Sequence, residues 1–152
     1  MDFKNLIEKD NYYCFDCLLP YPIYSSINNG ILLCYFCSEN HKLNISNKAI
    51  SKIVKLDSNI DSKVLIYILN GGNNRLKSIF IKYNLIKDNI SNMSTPDECS
   101  KLIKKYNLAI YNTRVAYMYR LILENEVCGN YYSNLKLPRI DYGKEQMPLI
   151  NN

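Results

Sequence analysis

Two CxxC pairs, Cys14-Phe15-Asp16-Cys17 and Cys34-Tyr35-Phe36-Cys37, are separated by sixteen residues. In each pair a tight turn aims two thiolates at one point, and four thiolates close a tetrahedral zinc site with Zn–S bonds of about 2.3 Å. Disulfides would need an oxidising compartment, and nothing else in the chain asks for one. Four sulfurs leave no open coordination position, so one Zn2+ reads as structural, its binding energy substituting for the core this half of the chain lacks. His41, the only histidine, follows Cys37 by four residues and reads as a supporting or helix-packing side chain rather than a replacement ligand. Cys99 and Cys128 fall outside the pattern and read as buried free thiols.

The elements that must hold the cysteines can be traced around them. Phe3, Leu6 and Ile7 share a helical face, predicting a short N-terminal helix over the flank of the metal site. Pro20, Pro22 and Asn28-Asn29-Gly30 mark turns, after which Ile31-Leu32-Leu33 reads as a buried strand delivering Cys34. A second strand is expected over Ser51 to Leu56. Val64 and Ile68, then Leu76, Ile79, Phe80 and Tyr83, recur at helical spacing and are broken by Gly71-Gly72-Asn73, which predicts helix, turn, helix. Thr95-Pro96-Asp97-Glu98 has the form of a capping box and predicts a helix start. Tyr111, Val115, Met118 and Ile122 form the apolar stripe of a longer helix ending before Gly129. Beyond Cys128 the chain turns polar, with Pro138, Gly143 and Pro148, and reads as an extended or irregular extension over residues 126–152, set against a domain of residues 1–125.

The chain of 152 residues is one domain's worth of ordinary globular composition, 47% hydrophobic and 22% charged. Its longest clean apolar run, Val64 to Leu69, falls far short of the ~20 residues a membrane helix needs, and Met1-Asp2-Phe3-Lys4 opens no signal sequence. These features, with reduced cysteines, lead to a cytoplasmic expectation. Charge is unevenly spread: His41 to Lys87 holds nine Lys or Arg against Asp57 and Asp61, a net +7, while the whole chain carries +5. Such a basic segment points to an anionic partner or to a solvated lysine face.

Four-cysteine pairs at this spacing occur in DNA-binding fingers of the GATA type, in protein-binding modules and in GTPase-regulating modules, so spacing alone leaves all three open. The surrounding residues are more specific. Pro20, Pro22, Tyr24, Ser26, Asn28, Gly30 and Leu32 between the pairs, then Ser38 and His41, resemble the finger of the Arf GTPase-activating proteins. That family's pattern reads C-x2-C, P-x-P-x-W-x-S-x-N-x-G-x-F-x-C-x2-C-S-G-x-H-R, and every spacing matches. Downstream, Leu56-Asp57, Gly71-Gly72-Asn73, Lys105-Tyr106 and Tyr111-Asn112-Thr113-Arg114-Val115-Ala116 are similar to its later motifs, carrying the resemblance to about residue 124. It implies an α+β fold in which a GATA-like zinc finger sits in a small central antiparallel sheet surrounded by helices. It also implies binding to the GTP form of an Arf-family small GTPase, which carries GTP and Mg2+, and promotion of hydrolysis there. The protein would then be a GTPase activator in vesicle trafficking, rather than an enzyme with its own substrate. Recruitment to Golgi or endosomal membranes would come through that partner.

The departures are chemically informative. Tyr24 replaces the pattern's Trp, and Ser38-Glu39 replaces its Ser-Gly. Lys42 stands where the family places the arginine that enters the GTPase active site. An arginine finger presents a planar fork of donors and is worth roughly 10³–10⁵ in rate. A lysine ammonium is a point charge without the bidentate contact, so weakened acceleration is expected at Lys42, the candidate catalytic residue. Arg75, beside the Gly-Gly-Asn turn, is the candidate substitute for it. Tyr24, Asn28, His41, Lys48, Lys52, Lys55 and Arg75 are the candidate partner-binding residues. The alternative is an inactive module that binds the GTPase as a ligand. Nucleic-acid readout would need helix-borne Arg, Lys and Asn reaching base edges, and arginine is nearly absent from the basic stretch.

Overall fold

In the computed structural model, which describes residues 11–45, 47–87 and 108–148, the Asn28-Asn29-Gly30 turn folds two short strands together. Tyr24–Ser26 (β1) and Ile31–Leu33 (β2) pair antiparallel, Tyr24 opposite Leu33 and Ser26 opposite Ile31. Ile27–Asn29 makes one 3₁₀ turn between them, closed by Gly30 at φ 65°. That left-handed conformation suits glycine, and a Cβ there would lie 2.8 Å from Leu123 Cδ2 and 3.1 Å from the Tyr67 carbonyl oxygen. Ile53–Lys55 (β3) pairs with the other edge of β1, giving the antiparallel order β2-β1-β3.

The predicted buried strand is β2, all three residues of which are fully buried. The second strand is shorter than the expected Ser51 to Leu56, because local side chains divert its first residues from the ladder. The Ser51 hydroxyl is shared with Ser26 and His41, and the Lys52 N–H donates to Asn28 Oδ1 at 2.9 Å.

Tyr35–Asn44 (α1) starts directly after β2, with Cys34 as its N-cap. Ser62–Asn70 (α2) is capped by the Asp61 carboxylate, which accepts from the Lys63 N–H at 3.0 Å. Gly71 and Gly72 turn the chain into Asn73–Lys82 (α3), the expected helix, turn, helix. The Gly72 N–H donates to the Gly30 carbonyl at 2.8 Å, so two glycine turns pack against each other. Asn73 ties this turn to the metal-site segments: its Oδ1 accepts from the Leu32 N–H at 2.8 Å and its Nδ2 donates to the Tyr13 carbonyl at 2.7 Å.

Arg114–Cys128 (α4) is capped by Thr113 and ends at Gly129, φ 111°. Its buried face is Val115, Ala116, Tyr119, Arg120 and Leu123, whereas Met118 and Ile122 are only half-buried. The predicted stripe was out of phase because Tyr111 belongs to a preceding 3₁₀ turn, Leu108–Asn112, with a different period. Cys128 is exposed rather than buried, since it is the last helical residue before the cap.

α4 runs through residue 125, and the extension beyond it is not wholly irregular. Ile140–Gly143 (α5) forms one turn. The chain after it returns to the start of α4, where the Arg114 N–H donates to the Glu145 carbonyl and the Met147 N–H to the Asn112 carbonyl. Tyr83 donates its hydroxyl to the Pro138 carbonyl, and the Arg114 guanidinium stacks 4.4 Å from the Tyr142 ring centre. These polar anchors carry no hydrophobic periodicity, which is why the segment looked unstructured.

The main core joins Ile31 and Leu33 to Leu76, Phe80, Ile110, Tyr111, Ala116, Tyr119 and Leu123, and it includes all four paired cysteines. The metal-binding half therefore shares the core it was expected to lack. Leu32, on the other face of β2, packs with Leu56 and Ile68. The N-terminal helix, the capping box at Thr95, Cys99 and Lys105-Tyr106 lie outside the described residues.

Candidate metal centre and flanking surface

The first cysteine pair is held by a tight backbone loop. The Cys14 N–H donates to the Leu19 carbonyl, the Leu18 N–H returns to the Cys14 carbonyl, and the Phe15 N–H reaches Leu32 on β2. The second pair lies at the start of α1, where the Cys37 N–H donates to Cys34 Sγ at 3.4 Å. Strand β2 thus fixes both pairs, through Phe15 for the first and by direct succession for the second.

Cys14, Cys17, Cys34 and Cys37 are buried, and their four Sγ atoms lie within 4.8 Å of one another. Cys17 and Cys34 are 3.6 Å apart, near the sulfur–sulfur edge of about 3.8 Å that a tetrahedral ZnS4 centre requires. Burial pushes the Cys14 thiol well above its ordinary range, while hydrogen bonds from Cys14, Cys17 and Cys37 hold Cys34 far below it. Four buried cysteine sulfurs converging on one point are the donor set of a soft divalent cation, and the site can hold a metal ion.

Behind the cluster lies a closed ring of polar contacts that the sequence did not announce. Asp16, between the first two cysteines, accepts the Tyr111 hydroxyl on Oδ1 and meets His41 Nε2 at 2.7 Å through Oδ2. His41 Nδ1 lies 2.7 Å from Ser51 Oγ, which lies 2.7 Å from Ser26 Oγ. Asn29 donates to Ser26 Oγ at 2.8 Å and accepts from Arg120 at 3.2 Å, and the same Arg120 nitrogen donates to the Tyr111 carbonyl at 2.7 Å. Seven residues from separate parts of the chain are joined without a break. A single histidine and an acid inside a cysteine pair were the only local signals for it.

The predicted partner-facing residues divide into internal and surface groups. His41 is fully buried, and its imidazole faces the ring rather than solvent. Asn28 is spent on the loop before β3, donating to the Lys48 and Ala49 carbonyls and accepting from the Lys52 N–H. Arg75 donates to both carboxylate oxygens of Glu126, at 2.7 and 2.8 Å, and to the Asn70 carbonyl; Glu126 raises its pKa further. Lys48, Lys52 and Lys55 are exposed along the loop and edge strand β3.

Lys42 projects from the solvent face of α1, its side chain 49% exposed, with Nζ 3.2 Å from Glu39 Oε1 and 5.9 Å from the Tyr24 ring centre. The Tyr24 ring lies 5.9 Å from that of Tyr35, itself 5.7 Å from Phe36. Tyr21, Ile23, Tyr35, Phe36 and Leu43 are exposed. Sequence reading missed these apolar neighbours because Tyr21 and Ile23 sit among turn residues, while Tyr35, Phe36 and Leu43 are scattered over α1 without forming a stripe.

A family model described as "ArfGap: Putative GTPase activating protein for Arf" matches residues 2–117. Among curated proteins, "ADP-ribosylation factor GTPase-activating protein 3" of Mus musculus is 30% identical over 110 residues, and that of Macaca fascicularis 31%. Each match covers 72% of this chain and 18% of the relative, so the chain spans under a fifth of those proteins' length. A crystal structure described as a "putative GTPase activating protein for ADP ribosylation factor from Cryptosporidium parvum" shares the fold, with a TM-score of 0.53 and 22% identity over 82% of this chain and 90% of that one.

Proposed function

Because the chain belongs to the ArfGap family, we propose that it binds the GTP form of an Arf-family small GTPase and promotes hydrolysis there, with Lys42 as a weakened finger. The observation that carries this reading is the place of Lys42: an exposed ammonium on α1, five residues beyond Cys37, backed by the Tyr24 ring. An ammonium delivered to the γ-phosphoryl oxygens stabilises the charge that develops as the bond to the leaving phosphate breaks. Lysine offers fewer oriented donors than arginine, so the acceleration falls below the arginine-finger range. Arg75 is already committed to Glu126 and does not supply the missing fork.

In this reading the four cysteines hold one Zn2+, whose role is to fix the loop at residues 14–17 against the first turn of α1. With four sulfur ligands it has no position for substrate or water. The exposed Tyr35, Phe36 and Leu43 supply apolar contact around Lys42, and Lys48, Lys52 and Lys55 offer positive charge to an acidic surface. GTP and Mg2+ belong to the GTPase. Among the described residues no helix is long and apolar enough to cross a membrane, and we place membrane recruitment, to Golgi or endosomes, with the partner.

A second reading has its own support: the ion pair of Lys42 with Glu39 leaves the finger position internally neutralised, as suits a module that binds the GTPase without accelerating it. Single-turnover hydrolysis by a GTP-loaded Arf-type GTPase separates the two. Acceleration by the wild type that is lost in Lys42→Ala supports the activator. Binding that prefers the GTP form, with acceleration only in Lys42→Arg, supports the binding module. No preference for the GTP form would sink both.

A further inference from the structure

Among the described residues, one ion pair on the exposed face of α1 joins the candidate finger to its own helix. Glu39 stands one turn before Lys42, with Oε1 3.2 Å from Nζ, and the two side chains are 39% and 49% exposed. A carboxylate oxygen and a phosphoryl oxygen ask the same thing of an ammonium, a charge-assisted hydrogen bond. They therefore compete for one cation.

Resting on the reading of Lys42 above, we propose that Glu39 is a positioning residue that opposes delivery of Lys42 to the nucleotide. In open water the pair is weak, because solvent and salt screen it. When a partner covers α1, water leaves and the same charges interact more strongly, since the Coulomb term grows as the dielectric falls. Lys42 then has two states. Kept by Glu39, it leaves the phosphate uncontacted; turned to the phosphate, it leaves a covered carboxylate unpaired beside further negative charge. Glu39 works against the GTP form in both states, by occupying the cation and by repelling the anion. Tyr24 holds the ammonium from its ring face, 5.9 Å away, without adding a formal charge.

The experiment compares wild type, Glu39→Gln, Lys42→Ala and the double variant on a GTP-loaded Arf-type GTPase, at low and high salt. Binding and single-turnover hydrolysis are both read. Alongside, the rate at which an amine-reactive ester labels Lys42 is followed by mass spectrometry on each protein alone. Glu39→Gln is expected to raise Lys42 labelling and to raise GTP-form affinity or the hydrolysis rate by about two- to tenfold, with the gain shrinking at high salt. The gain should vanish when Lys42 is alanine. Glu39→Gln equal to wild type, or equally effective without Lys42, overturns the proposal. If none of the four proteins prefers the GTP form, the underlying reading falls and this proposal with it. Raised labelling in Glu39→Gln would then show only that the ion pair exists.

Discussion

The His41 imidazole meets the Asp16 carboxylate at 2.7 Å, with both side chains shut off from solvent. This contact links the helix carrying the second cysteine pair to the loop carrying the first. Truncating His41 would leave Asp16 Oδ2 and Ser51 Oγ each without that partner in a place water does not reach. His41→Ala is therefore expected to destabilise the metal-loaded protein by about 2–4 kcal/mol. Lys42→Ala, one residue on but exposed, should cost less than about 0.5 kcal/mol. Urea unfolding of both variants checks the contrast, and equal losses would show that the ring carries no special weight.

Metal removal tests the cysteine centre. The four sulfurs must lose protons to bind a cation, and burial makes at least Cys14 reluctant to do so without one. The protein should bind one zinc ion per chain and release protons as it does. Affinity should fall as pH drops, and chelation should unravel the loop at 14–17 and the first turn of α1. Metal content by mass spectrometry and loss of helical circular dichroism on chelation are the readouts; an unchanged spectrum after complete removal would deny the centre a structural role.

Arg75 was the candidate replacement for a missing arginine finger, and its bidentate pair with Glu126 gives it another task, bracing the start of α3 against the last turns of α4. Both side chains are about a third exposed, 35% and 31%, so screening limits the pair's worth. Arg75→Ala should lower stability by about 1 kcal/mol or less and leave any Lys42-dependent hydrolysis unchanged. A loss of hydrolysis as large as that of Lys42→Ala would return Arg75 to the site.

Legibility in the sequence followed the range of each interaction. The cysteine pairs, β2 and the break between α2 and α3 were readable because each is written in neighbouring residues: CxxC, a short apolar run after Asn-Asn-Gly, and paired glycines. The phase of α4 was not, because a 3₁₀ turn ahead of it displaced Tyr111 from the helical count. The polar ring was least visible. Asp16, Ser26, Asn29, Ser51, Tyr111 and Arg120 are unremarkable singly, and only the fold brings them together. His41, expected as a supporting side chain and also offered as a partner-binding residue, is fully buried with its imidazole between Asp16 and Ser51, an orientation that spacing along the chain does not specify.

Tyr119 offers a test of burial without partnership. Its side chain is 1% exposed, and its hydroxyl finds no hydrogen-bond partner among the described residues. Phenylalanine keeps the ring and removes the unsatisfied group, so Tyr119→Phe should be neutral or stabilising by up to about 1 kcal/mol at pH 7. A second signature appears in alkali. Burial pushes the phenol from 10.0 up to about 12, so the unfolded chain gives up this proton near pH 10 while the folded chain holds it. The stability tied to that proton is intact below pH 10 and is lost as pH rises toward 12, by an amount on the order of 2–3 kcal/mol. Burial also lowers Arg120, to about 10, with the opposite slope, but that group is present in both proteins and drops out of their difference. Unfolding free energies of wild type and Tyr119→Phe, measured in urea from pH 8 to 12, should therefore diverge above pH 10 in favour of the phenylalanine variant. A constant difference across that range would mean that the folded protein ionises Tyr119 as readily as the unfolded chain does.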